Sequence, residues 1–95
     1  MQLLYLPSAL PDLAWMRSYC EQVFPEGAAG ARAAIRRAEE LVLANPHIGR
    51  RTHRADVRRM RLGRTPFSFV YRPKSGRIEV LRVIDTRSLD GMVED

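Results

Sequence analysis

Three short runs with a two-residue hydrophobic period, separated by two tight turn signals, fill residues 57–84. They constrain the fold more than any other stretch. The first run, 57–62, reads Val-Arg-Arg-Met-Arg-Leu, and Gly63, Arg64, Thr65 and Pro66 punctuate its end. The second, 67–72, reads Phe-Ser-Phe-Val-Tyr-Arg and is rich in the aromatic and β-branched residues that suit a pleated surface. Pro73-Lys74-Ser75-Gly76 comes next, with a glycine open to positive φ. The third run, 77–84, is Arg-Ile-Glu-Val-Leu-Arg-Val-Ile. Strands joined by loops this short pair as an antiparallel meander. Alternation then predicts the faces. Phe67, Phe69 and Tyr71 share one side, and Ser68, Val70 and Arg72 the other. Ile78, Val80 and Ile84 fall opposite Leu81 and Val83, so the third run is apolar on both sides, as a central strand is. Met60 and Leu62 alternate with Arg59 and Arg61, one side inward and one carrying guanidinium groups outward.

The stretch before the meander has helical spacing. Residues 1–6 form a short apolar run closed by Pro7, read as a strand that adds to the meander, and Ser8 is a candidate N-cap. From 9 to about 24, Leu13, Met16, Cys20, Val23 and Phe24 recur at helical intervals on one stripe, with Cys20 as a small core residue. Trp15 and Tyr19, four apart, make a second stripe: a wider core face or a docking surface. Pro25-Glu26-Gly27 breaks the chain. A second helix is predicted over 28–44, its stripe Ala31, Ala34, Ile35, Ala38, Leu41 and Val42, stopped by Asn45-Pro46-His47-Ile48-Gly49. Residues 50–56 read as a loop, and the polar tail 85–95 as a fraying end. The order β-α-α-β-β-β predicts an α+β fold: one antiparallel sheet with a two-helix hairpin across one face, and apolar or aromatic surface left on the other for a partner.

Charge is distributed unevenly. Residues 1–49 carry four Arg against five acids, residues 50–64 seven Arg against Asp56 alone, and residues 65–95 five bases against five acids. The excess therefore sits in a 15-residue window. It is either a solvated face or a site for an anionic partner, nucleic acid or an acidic protein segment. Fifteen Arg against one Lys suits planar, bidentate recognition. No apolar run approaches the ~18 residues of a membrane span, and the N-terminus lacks the pattern of a signal peptide. The single cysteine cannot form an internal disulfide, and a cytosolic location is expected.

Catalytic signatures are sparse. No Gly-rich phosphate loop is present. His47 and His53 read as exposed loop residues and form no metal-ligand pair with Cys20, so no metal and no cofactor is expected. One reaction suits the composition: metal-independent RNA cleavage by 2′-hydroxyl attack, which needs a general base, a general acid and cations at the phosphate. Arg59, Arg61, Arg64, Arg82 and Arg87 are candidate cations. The nearby acid–base candidates are Tyr71, placed in the core or at its rim, and the loop histidines.

Taken in order, these segments resemble the RelE/ParE superfamily of bacterial toxin–antitoxin toxins. The likeness is carried by Asp12-Leu13 early in the first helix and by Asn45-Pro46-His47-Ile48-Gly49-Arg50, which is similar to the family's P-x-x-G-R after the second helix. It continues with Val57-Arg58-Arg59-Met60-Arg61 ahead of Thr65-Pro66-Phe67-Ser68-Phe69-Val70-Tyr71-Arg72, and with Arg77-Ile78-Glu79-Val80-Leu81-Arg82-Val83, similar to the closing strand. It covers most of the chain and implies a single toxin domain over 1–95. RelE-branch members are ribosome-dependent mRNA endonucleases with basic residues on the sheet and an Arg, often with Tyr, Lys or His, near the C-terminus. Here that set would be Arg61, Arg64, Arg82 and Arg87, but the tail beyond Arg87 is acidic and has no Tyr, His or Lys. The ParE branch, associated with poisoning DNA gyrase, is more similar over 66–72 and 78–83.

The resemblance therefore implies a cytoplasmic, growth-inhibiting toxin that binds gyrase and is neutralised by a cognate antitoxin. A ribosome-dependent mRNA endonuclease is the alternative, and a non-toxic Arg-rich nucleic-acid-binding domain a second one. The antitoxin is expected to bring an acidic, partly disordered C-terminal segment. Trp15 and Tyr19 would anchor it, and its acids would meet Arg50, Arg51, Arg54, Arg58, Arg59, Arg61, Arg64, Arg82 and Arg87.

Overall fold

The computed structural model of the protein describes residues 1–22, 28–63 and 65–85. Its elements are β1 (Gln2–Tyr5), α1 (Leu10–Gln22), α2 (Ala28–Ala44), β2 (Arg50–Arg51), β3 (Arg58–Arg61), β4 (Phe67–Lys74) and β5 (Arg77–Asp85). The sheet order is β1-β5-β4-β3-β2. The expected α+β architecture is present, with two additions. The sheet is mixed, because β1 lies parallel to β5 while the other pairs are antiparallel. A two-residue strand, β2, forms inside the stretch read as a loop and pairs Arg50 with Arg59 and Arg51 with Arg58.

The core is built on β4. Phe67, Phe69 and Tyr71 alternate onto the helix side and are almost fully buried with Leu62, Ile78, Val80 and Val42. Burying each such side chain contributes about 1.5–3 kcal/mol. From the helices, Met16 and Cys20 of α1 and Ala31, Ala38 and Val42 of α2 enter this core, while Leu13, Ala34 and Ile35 pack at its margin. The small alanines let α2 lie close to its neighbours. Val23 and Phe24, the last positions of the predicted α1 stripe, lie outside the described residues, as does the tail from residue 86.

β4 runs two residues further than its sequence pattern suggests. Pro73 pairs with Ile78 and Lys74 with Arg77, leaving Ser75-Gly76 as a two-residue hairpin turn with Gly76 at φ 78°. Pro73 is tolerated because β3 reaches only to the Arg58–Tyr71 pair. Beyond it β4 is an edge on that side, where the missing N–H breaks no ladder bond.

The faces of β5 also differ from strict alternation. Val70 pairs with Arg82 and Tyr71 with Val80, so Leu81 has no partner on β4. This bulge inserts one residue and reverses the parity of the strand beyond it. Val83, opposite Phe69, joins Ile78 and Val80 in the core, and Ile84, opposite Ser68, falls on the face away from the helices. The expected grouping of Ile84 with Ile78 and Val80 is therefore corrected. Ser8 does not cap α1. Its hydroxyl donates to the carbonyl of bulged Leu81 at 2.6 Å, and the helix begins from the carbonyl of buried Ala9.

Candidate partner-binding site

Register alone divides the arginines between the two faces of the sheet, because residues paired across strands share a face. Arg51 and Arg58 lie in the row of Tyr71 and Val80, on the helix side. Arg50 and Arg59 lie in the row of Val70 and Arg82, and Arg61 in the row of Ser68 and Ile84, on the helix-free side. Arg72, Lys74 and Arg77 belong to the same side by alternation and pairing. The helix-free face is thus a cationic sheet surface, and the 50–64 cluster does not act as one block.

Arg58 is structural. Its guanidinium donates to the carbonyls of His47 (3.2 Å) and Gly49 (2.9 Å), tying down the loop after α2. The Tyr71 hydroxyl holds the same loop from inside: it accepts from the Gly49 N–H and donates to the Pro46 carbonyl, both at 2.9 Å. A Cβ at position 49 would lie 2.5 Å from that hydroxyl oxygen, so only glycine fits. This clamp is the physical content of the Pro46–Arg50 motif: it fixes where β2 starts and hence where Arg50 is presented. It also settles Tyr71. The side chain is fully buried, both hydrogen-bonding roles of the oxygen are taken, and burial pushes the phenol up from its ordinary value. Tyr71 is core, not a proton donor at the surface.

Arg82 is already engaged. Its Nε and Nη2 bond both carboxylate oxygens of Asp12 at 2.6 and 3.1 Å, which raises the guanidinium's proton affinity further. Asp12 also accepts the Val83 N–H at 3.0 Å. The first turn of α1 is thereby fastened to β5 just past the point where β1 ends. Asp12 carried the resemblance in sequence, but nothing there pointed to Arg82, seventy residues away. Glu79 lies on the cationic face itself, paired across the strands with Arg72. Arg72 and Arg77 bond its two oxygens at 2.7 and 2.8 Å and hold its carboxyl below the usual range. Arg61 lies exposed with its Nε donating to the Thr65 carbonyl. Arg50, Arg51 and Arg54 are exposed on β2 and the loop after it, and Arg59 is half-buried. Arg64 and Arg87 lie outside the described residues.

The aromatic pair on α1 stands apart from these charges. Trp15 is 51% exposed and stacks on Tyr19, ring centroids 5.5 Å apart. Both rings meet buried Phe67 edge-on at 5.7 and 5.9 Å. The pair is therefore both margin of the core and accessible surface, an amphipathic handle of the kind partners use. Between α1 and α2 lies a cleft of about 240 Å³, walled by Leu13, Met16, Cys20 and Ile35. At its floor Tyr5 hydrogen-bonds the Glu39 carboxylate, and burial with that contact raises the phenol well above its ordinary range. Burial likewise pushes up the Cys20 thiol. His47 and His53 are exposed loop residues. Among the described residues no group of three or more His, Cys, Asp or Glu is placed to hold a metal ion, and no helix is long and apolar enough to cross a membrane.

A strand, a two-helix hairpin and an antiparallel run closing one sheet define the RelE/ParE class of α+β toxins. The family model for the ParE toxin of type II toxin–antitoxin systems, parDE, matches residues 3–89. The solved structure of the chromosomal ParDE toxin–antitoxin system from P. aeruginosa is similar at 31% sequence identity. The match covers 90% of this chain and 95% of that one, with a TM-score of 0.71. A search of curated proteins returned no significant match. The chain belongs to the ParE family of type II toxins.

Proposed function

We propose that this toxin inhibits growth by binding DNA gyrase, or a related topoisomerase, in the cytoplasm, and that a cognate antitoxin neutralises it. The family match over residues 3–89 carries this reading. The fate of Tyr71 supports binding over RNA cleavage. The phenol that would serve as acid or base beside the arginines is sealed in the core and saturated by Gly49 and Pro46. The antitoxin's acidic segment would meet Arg50, Arg59 and Arg61, with further contacts from Arg51 and Arg54 and from Arg64 and Arg87. Trp15 and Tyr19 would anchor its apolar residues.

Induction of the protein while both gyrase-linked DNA breaks and mRNA cleavage are monitored tests the target. DNA breaks without codon-linked RNA cuts are expected, and the opposite pattern would replace this reading with the endonuclease. For the antitoxin, Arg59→Glu with Arg61→Glu should weaken binding and flatten the salt dependence of the association rate. Unchanged rate, affinity and salt dependence would remove these residues from the interface.

A further inference from the structure

The cleft between the helices contains a carboxylate without a cation. Ala31, Ile35 and Glu39 follow one another at intervals of four on α2 and so share one line of the helix. Leu13, Met16 and Cys20 of α1 wall the same cleft. On these two lines Glu39 is the one charged residue. It is half-buried, and its one hydrogen bond among the described residues comes from the Tyr5 hydroxyl to Oε2. Oε1 has no partner among them, and no cation of the described residues pairs with Glu39. Setting a carboxylate into an apolar wall without a counter-charge costs free energy. A link that only pinned β1 to α2 would need no charge, because a glutamine at position 39 could accept the same hydrogen bond.

We infer that this cleft is a binding site for a small, freely diffusing primary ammonium on a short apolar stem, its cationic head on Glu39 and its stem between Met16 and Ile35. Charge and size select this class. The ammonium supplies both the donor and the opposite charge that Oε1 lacks, a charge-assisted hydrogen bond. An apolar cavity of about 150 Å³ takes a benzene ring, so a cleft of about 240 Å³ takes such a ring with a two-carbon stem and its head. The rim sets the valence. Arg17 and Arg32 stand there exposed against Glu21, leaving the mouth net cationic. A second ammonium on the ligand would therefore be repelled at the mouth, and a carboxylate head would be repelled by Glu39 at the floor. The site is separate from the cationic sheet face and does not depend on the toxin's target.

Methyl-resolved NMR titration of the full chain tests it, with phenethylammonium as the probe. The methyl signals of Leu13, Met16 and Ile35 should shift saturably, and those of Val57 and Val70 should not. Phenethyl alcohol has the same shape without the charge and should bind about tenfold more weakly, the scale by which a charge-assisted hydrogen bond exceeds a neutral one. Hydrocinnamate should not bind. Hexamethylenediammonium should bind more weakly than hexylammonium. Glu39→Gln, which keeps an acceptor for Tyr5, should reduce phenethylammonium affinity about tenfold and leave that of the alcohol within twofold, so the alcohol reports that the cleft is intact. Equal affinity for amine and alcohol, or an amine affinity unchanged in Glu39→Gln, would overturn the inference. So would a diammonium that binds as tightly as the monoamine, which would mark general attraction to acidic surface, and so would the absence of saturable shifts at the three cleft residues. The comparison among ligands uses the unaltered chain and decides the matter even if Glu39→Gln fails to fold.

Discussion

Removing one oxygen atom, in Tyr71→Phe, should cost this domain a large share of its stability. The hydroxyl accepts from the Gly49 N–H and donates to the Pro46 carbonyl, both at 2.9 Å. Phenylalanine fills the same space, so almost no cavity opens and the loss is polar. The Gly49 N–H is buried and has no water to turn to; leaving such a donor unpaired costs about 1–3 kcal/mol. The Pro46 carbonyl is half-buried and loses a bond worth about 0.5–1 kcal/mol. The sum is about 1.5–4 kcal/mol. A domain of this size melts roughly 4–8 °C lower per kcal/mol, so Tm should fall by roughly 6–30 °C. Urea denaturation monitored by far-UV circular dichroism measures it, with an unchanged slope expected because the same surface is exposed. Gly49→Ala attacks the clamp from the other side, since its Cβ would lie 2.5 Å from the hydroxyl oxygen and 2.8 Å from the ring. Both variants break one contact, so the double variant should cost less than the sum of the two. A loss below about 0.5 kcal/mol for Tyr71→Phe, or strict additivity, would refute the claim that this clamp fixes the loop.

Asp12→Ala should cost about 1–2 kcal/mol, because it strands the Val83 N–H as well as breaking a half-exposed ion pair, whereas Arg82→Ala should cost under about 1 kcal/mol; equal costs would reduce Asp12 to an ordinary surface pair. Glu79 has its folded-state pKa held below the unfolded value of 4.5 by Arg72 and Arg77. Its contribution is therefore present above pH 4.5 and lost as pH falls through the depressed value, so Glu79→Gln should flatten the acid limb of the stability–pH curve, and an unaltered limb would count against the pairing. Trp15→Ala removes a half-exposed ring stacked on Tyr19. It should cost about 1 kcal/mol of stability but at least about tenfold in antitoxin affinity by calorimetry; loss of both in proportion would make Trp15 merely a core residue.

Local physics was enough to place most elements. The helical stripe of α2 and the aromatic alternation of β4 each carry their period within a few residues, and the Gly-Pro punctuation between them carries the turns. That is why the α+β class, the helical hairpin, the central position of β5 and the burial of Phe67, Phe69 and Tyr71 were legible in the chain. Helix–strand period says nothing about where a ladder slips. The bulge at Leu81 depends on how β5 is gripped between β4 and the start of α1, through Ser8 and Asp12, and it exchanged the fates of Val83 and Ile84. β2 has two residues and no period to detect; it exists only because β3 offers an edge and Tyr71 fixes the loop before it. The arginine cluster read as one block because charge was summed along the chain. Pairing across strands sends Arg58 to the loop carbonyls and Arg59 and Arg61 to the open face, and Asp12 takes Arg82 from the far end of the sequence. Register is a long-range property, set when distant strands meet over a shared core, and only the tertiary structure decides which charges are presented to a partner.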